Sequence, residues 1–141
     1  MIKGDNHNTA SSFRKVLLIF VLVSATLSLS AQFAGGEGTE ADPWQISRVE
    51  HLDRIREYVG PDHNNKFFIQ TTHLDLGEAP WNEGEGWVPI GHGTEDSFRG
   101  KYDGNGYEIR NLSIERQNCW NGLFGLTVET TLEKITLVDA H

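Results

Sequence analysis

The chain has 141 residues, with 12 basic and 20 acidic side chains and a formal net charge of −8. That length allows one small domain with a modest core, and the acidity argues against nucleic acid or anionic lipid as a partner. A single cysteine excludes an internal disulfide.

Arg14 and Lys15 precede an apolar run over residues 16–29, and small residues follow at Ser28, Ser30 and Ala31. This order reads as a secretory signal peptide over residues 1–31, with cleavage between Ala31 and Gln32. The run is interrupted by Ser and Thr and is short of the roughly 20 apolar residues that span a bilayer. A retained N-terminal anchor is the alternative; otherwise the membrane is met only during export. Cleavage would leave 9 basic and 19 acidic residues, a charge of −10. In an oxidising compartment Cys119 reads as a buried small apolar residue, the alternative being an intermolecular bridge.

Residues 32–41, rich in Gly and Glu, read as a flexible leader. Ser47 and Glu50 have the spacing of a capping box, and Val49, Leu52, Ile55 and Val59 follow at helical spacing until Gly60 and Pro61 end the pattern. This amphipathic helix is expected to cap a strand stack, where an open edge and an apolar cross-section need cover. His51 reads as a solvated helix position. Phe67, Phe68 and Ile69, then Leu74 and Leu76, are short β signals.

Residues 77–93 form a Trp/Pro/Gly-rich loop holding Pro80, Trp81, Trp87 and Pro89. Strand coils are expected over 97–102, 108–115, 122–128 and 132–139, with Asp103, Gly104, Asn105 and Gly106, and Asn121 with Gly122, supplying positive φ at tight corners. The apolar triplet Ile109, Leu112 and Ile114 recurs 23 residues later as Leu132, Ile135 and Leu137. A fixed period of that size marks a coiled stack of strands. Phe98, Tyr102, Leu123 and Phe124 should point inward with those two triplets, apart from Leu132. The chain stops at His141 just after a strand, which reads as a fragment of a larger surface protein or as an exposed edge prone to self-association.

Phe98, Gly100, Tyr102, Asp103, Gly104, Asn105 and Gly106, the Ile109-x-Asn-Leu-x-Ile114 strand and the turn Gly122-Leu123-Phe124-Gly125 together resemble the GLUG-motif repeat of bacterial surface and secreted proteins. Gly38 to Trp44 with Ile46, and Gly86 to Gly91, are similar to its lead-in, so the resemblance covers roughly residues 35–139. It implies a mainly β fold over residues 42–141, a right-handed parallel β-helix of few coils behind the N-terminal helix. It also implies adhesins or accessory regions of secreted peptidases, with no catalytic residues to carry over.

No constellation reads as catalytic. Glu95, Asp96 and Asp103, with Lys101 and Arg99, superficially match a calcium-dependent lyase, but Asp103 and Asn105 beside glycines are corner formers. His7, His51, His63, His73, His92 and His141 lack metal-binding spacing; no metal or cofactor is expected. No nucleophile signature or phosphate loop is present. Asn111-Leu-Ser113 matches a glycosylation acceptor but sits in an expected strand. Trp81 and Trp87 are the candidate ligand contacts, as a stacking platform for sugar rings or a partner's apolar side chains; the competing reading has them covering the side of the stack. The expected function is a non-catalytic secreted or cell-surface module for adhesion or display, with surface glycans or host or partner proteins as ligands. The alternatives are an accessory region of a secreted hydrolase, lyase or peptidase, and a small carbohydrate-binding module.

Overall fold

The computed structural model describes residues 32–117 and 119–141; the expected signal peptide lies outside them. The described elements in chain order are β1 (Trp44–Ile46), α1 (Val49–Arg54), two 3-10 turns (Ile55–Tyr58 and Pro61–His63), β2 (Phe67–Gln70), β3 (Leu74–Asp75), β4 (Lys101–Asp103), β5 (Glu108–Arg110), β6 (Thr131–Glu133) and β7 (Thr136–Val138). They build two small parallel sheets, one of four strands ordered β1-β2-β4-β6 and one of three ordered β3-β5-β7. From β2 onward the chain visits the two sheets alternately.

This corrects the expected right-handed parallel β-helix: the described residues hold few, very short strands in two sheets, with one six-residue helix. The third segment expected to be a strand, 122–128, joins only through isolated bridges, Ile90 with Phe124 and Phe98 with Thr127. The fixed period is corrected as well. Ile109 lies beside Leu137 and Tyr102 beside Leu132, whereas the 23-residue alignment set Ile109 over Leu132. The cause is the unequal length of what joins the strands: the long segments 76–100 and 111–130, together with the short corners 71–73, 104–107 and 134–135, set the step to the next layer.

The core is one cluster built from the inward-facing residues of both sheets. Ile46, Phe68, Leu74, Tyr102 and Ile109 are at most 2% exposed and pack with Leu52 and Ile55 from the helical segment, and with Phe98 and Ile90 from loops. Leu112 and Leu123 are buried as expected, and Ile114, Phe124 and Ile135 pack against the cluster. Leu137, expected inside, is 43% exposed at the edge of its sheet, and Leu132 is 38% exposed at the edge of the other.

The residues read as a mobile leader are packed. Phe33 is buried and stacks on Trp44 at 5.0 Å, and Ala34 and Gly35 exchange backbone hydrogen bonds with Gln45. Gly36 has φ +86°, and an added Cβ would sit 2.0 Å from the Pro43 carbonyl, so only glycine fits that close approach.

The helix forms without the expected capping box. Arg48 holds the N-cap position and its side chain makes no cap bond. Ser47 instead turns to His51: its backbone nitrogen and hydroxyl lie 3.3 and 3.4 Å from Nδ1. Arg48 Nε donates to His51 Nε2 at 3.0 Å. The expectation of a solvated His51 is therefore corrected; the ring is 4% exposed. Burial, and then the charge of Arg48, holds its pKa below the usual 6.5. An imidazole that stays neutral when folded but gains a proton when unfolded favours unfolding in acid. Stability from this site is complete above pH 6.5 and is expected to fall as pH drops below it. Denaturation midpoints between pH 7 and pH 5 check this; a His51→Gln variant should show a flatter profile.

Candidate binding surface

The 77–93 loop runs across the core rather than away from it. Gly86, at φ +72°, lets the chain pass Ser113, whose carbonyl would lie 2.2 Å from an added Cβ. Trp87 then turns inward: its backbone N–H donates to Ser113 O at 2.8 Å, its indole Nε1 donates to Leu123 O at 3.1 Å, and it is 1% exposed. Two arginines hold the loop from either side. The Arg56 guanidinium lies 4.4 Å over the Trp87 ring and donates to Pro89 O at 2.9 Å and to Asp53 at 2.8 Å. Arg116 donates to Trp87 O at 3.1 Å, Gly86 O at 3.0 Å and Glu85 at 3.0 Å. Trp87 is thus a core residue closed off from ligands, and its candidacy as a ligand contact is withdrawn.

Trp81 is half-buried and lines an open cleft of about 370 Å³ with Glu50, Asp53, Arg54, Arg56 and Glu57 of the helical segment. The two indoles therefore do not form one platform. A second groove, about 400 Å³, lies on the outer face of the four-stranded sheet, with Phe67 and Ile69 beside Lys101, Asp103, Thr131 and Glu133. A third, about 390 Å³, is lined by Val88, Pro89 and His92 on one side and by Arg116, Gln117, Cys119 and Trp120 on the other.

The turn residues serve the backbone. Asp103 accepts from the Asn105 N–H at 2.7 Å, and positive φ falls on Asn105 (52°) and Gly106 (77°). Gly104 is needed for close approach instead, since an added Cβ would lie 2.3 Å from Lys134 O. Gly122 and Gly125 do likewise, with Phe124 O at 2.8 Å and Gly91 O at 2.3 Å from a built Cβ. The positive φ expected at Asn121 and Gly122 is absent. Leu123 is in the core, and the Phe124 ring lies 4.8 Å from Phe98 in a tilted contact.

Of the charged residues that superficially matched a lyase, Lys101, Asp103 and Arg99 are engaged locally. Lys101 Nζ donates to Glu129 O, Lys134 pairs with Asp103 at 3.2 Å, and Arg99 donates to Ser97. Among the described residues no group of three or more His, Cys, Asp or Glu side chains is placed to hold a metal ion. Two features escaped sequence reasoning. Gln70 is fully buried in β2, where it links Tyr102, Thr72 and Glu108. Cys119 is exposed, correcting the buried thiol. It should react stoichiometrically with a small disulfide reagent in the folded protein within the time that free thiols do; reaction only after unfolding would contradict this placement.

No family model matches the chain, and no solved structure matches it. Two curated relatives do. A protein of Evansella cellulosilytica, provisionally named Gly-rich membrane protein, is 36% identical over 125 residues, which cover 83% of this chain and 14% of that protein. Halomucin of Haloquadratum walsbyi is 37% identical over 112 residues, covering 74% of this chain and 1% of its own length. The chain therefore spans a small part of each relative.

Proposed function

We propose that this chain is a non-catalytic module of a secreted or cell-surface protein, serving adhesion or display. The observation that carries this reading is the similarity of most of the chain to small parts of two much longer proteins, one of them named a membrane protein. The export-type N-terminus and the likeness to GLUG-motif surface proteins support it from the sequence side. Its partners are surface glycans or proteins met outside the cell, and the acidic surface disfavours nucleic acid.

Fractionation with intact-mass measurement tests the reading. The expected result is recovery from the envelope or medium of a protein lacking residues 1–31. Recovery from the cytosol with that segment intact would overturn it.

A further inference from the structure

Phe33 is fixed in the core by aromatic neighbours. It is 6% exposed, and its ring centroid lies 5.0 Å from Trp44, 5.8 Å from Tyr58 and Phe68, and 6.0 Å from His51. The backbone beside it is tied as well: Ala34 N–H donates to Gln45 O at 3.1 Å, and Gln45 N–H donates to Gly35 O at 2.9 Å. A chain processed on export must therefore begin before Phe33, because any later cut removes a buried ring and its ladder.

The leader sets the other limit. A leader peptidase cuts after small residues, and Ala31 is the last of these before Phe33. The next ones, Ala34, Gly35 and Gly36, lie beyond Phe33 and are excluded by the fold. One limit comes from the fold and one from the leader, and together they leave Gln32 as the first residue of the mature chain.

An N-terminal glutamine carries its own electrophile. Its α-amine reaches the side-chain Cδ through a five-membered ring, so the two groups meet at high effective concentration. The amine nitrogen bonds to Cδ, the Cδ–Nε2 bond breaks, and the amine proton leaves with that nitrogen as ammonia. No oxidant, reductant or second reactant is needed. Only bonds within residue 32 change, so Phe33 keeps its place. The lactam retains the side-chain carbonyl as an acceptor, and it replaces an amine of pKa about 7.7–8.0 with a neutral amide N–H.

We propose that Gln32 is a modification site, closing to pyroglutamate after export and blocking the N-terminus in front of the Phe33 anchor. The inference rests on the export reading and adds the fate of the new terminus. Its consequence is protection outside the cell: an exopeptidase that needs a free amine finds none ahead of the buried ring.

The test is peptide mass spectrometry of the native protein from envelope and medium, treated with an amine-directed label before digestion. A Gln32→Asn variant from the same cells is the control. Asparagine keeps the primary amide but would need a four-membered ring, so its terminus stays open. The expected N-terminal peptide starts at residue 32, is lighter than its sequence by one ammonia and carries no label, whereas the variant's peptide has full mass and is labelled. A peptide starting at Gln32 with its ammonia retained and its amine labelled would overturn this inference and leave the export reading standing. So would a processed chain that starts at any other residue. A chain that keeps residues 1–31 would overturn both.

Discussion

Trp87→Ala is expected to destabilise the protein by about 3–5 kcal/mol, the range for deleting a fully buried indole. The indole is 1% exposed, donates to Leu123 O at 3.1 Å and carries the Arg56 guanidinium 4.4 Å above its ring. Its loss removes packing, leaves Leu123 O with the Ile90 N–H as its donor and strips Arg56 of one face of its environment. Trp87→Phe keeps most of the apolar volume and should cost less, about 1–2 kcal/mol for the hydrogen bond and the weakened cation–π contact. The exposed Trp120 gives the contrast: its alanine variant should stay within about 0.5 kcal/mol of the parent. Chemical denaturation midpoints of the three variants decide the matter. A Trp87→Ala protein that denatures with the parent would show that the 77–93 loop is not part of the core.

Gln70→Leu should be the second severe change, at about 2–4 kcal/mol. The side chain is fully buried; Nε2 donates to Thr72 O at 2.8 Å and Glu108 O at 3.1 Å, and Oε1 accepts from the Tyr102 hydroxyl at 3.0 Å. These bonds join β2 and β4 of one sheet to β5 of the other. Leucine matches the volume but leaves a phenol and two carbonyls without partners, and each buried orphan costs about 1–3 kcal/mol. Tyr102→Phe removes a single bond and should cost about 1 kcal/mol. The double variant should be less destabilised than the two single costs predict together, because leucine then orphans no hydroxyl. Strict additivity would show that the Gln70–Tyr102 bond contributes nothing. Burial also pushes the Tyr102 hydroxyl well above its ordinary pKa of 10, so it remains a donor at neutral pH.

The strands around Phe68, Leu74 and Ile109 were legible because alternating apolar residues next to Gly, Asn and Asp corners have few other solutions. Register was not. It depends on the lengths of the long segments 76–100 and 111–130 as well as of the short corners, and an apolar triplet repeated at 23 residues matched side-chain type without matching position. Gln70 was missed because a polar residue ending an apolar strand reads as outward-facing, and only the partner strands reveal the phenol waiting for it. The capping box failed because Ser47 had a nearer partner in His51, a residue whose burial no local pattern announces. Composition placed ligand binding in the Trp-rich loop but gave no sign of which indole turns inward. The Val88–Trp120 groove joins residues far apart in sequence, so no local signal marks it.

The central claim is that this module is displayed outside the cell, and its exposed Cys119 makes that directly measurable. Intact producing cells, treated with a membrane-impermeant reductant and then a membrane-impermeant maleimide, should yield a labelled Cys119 peptide to the same extent as a lysate does. Labelling that appears only after lysis would contradict the account.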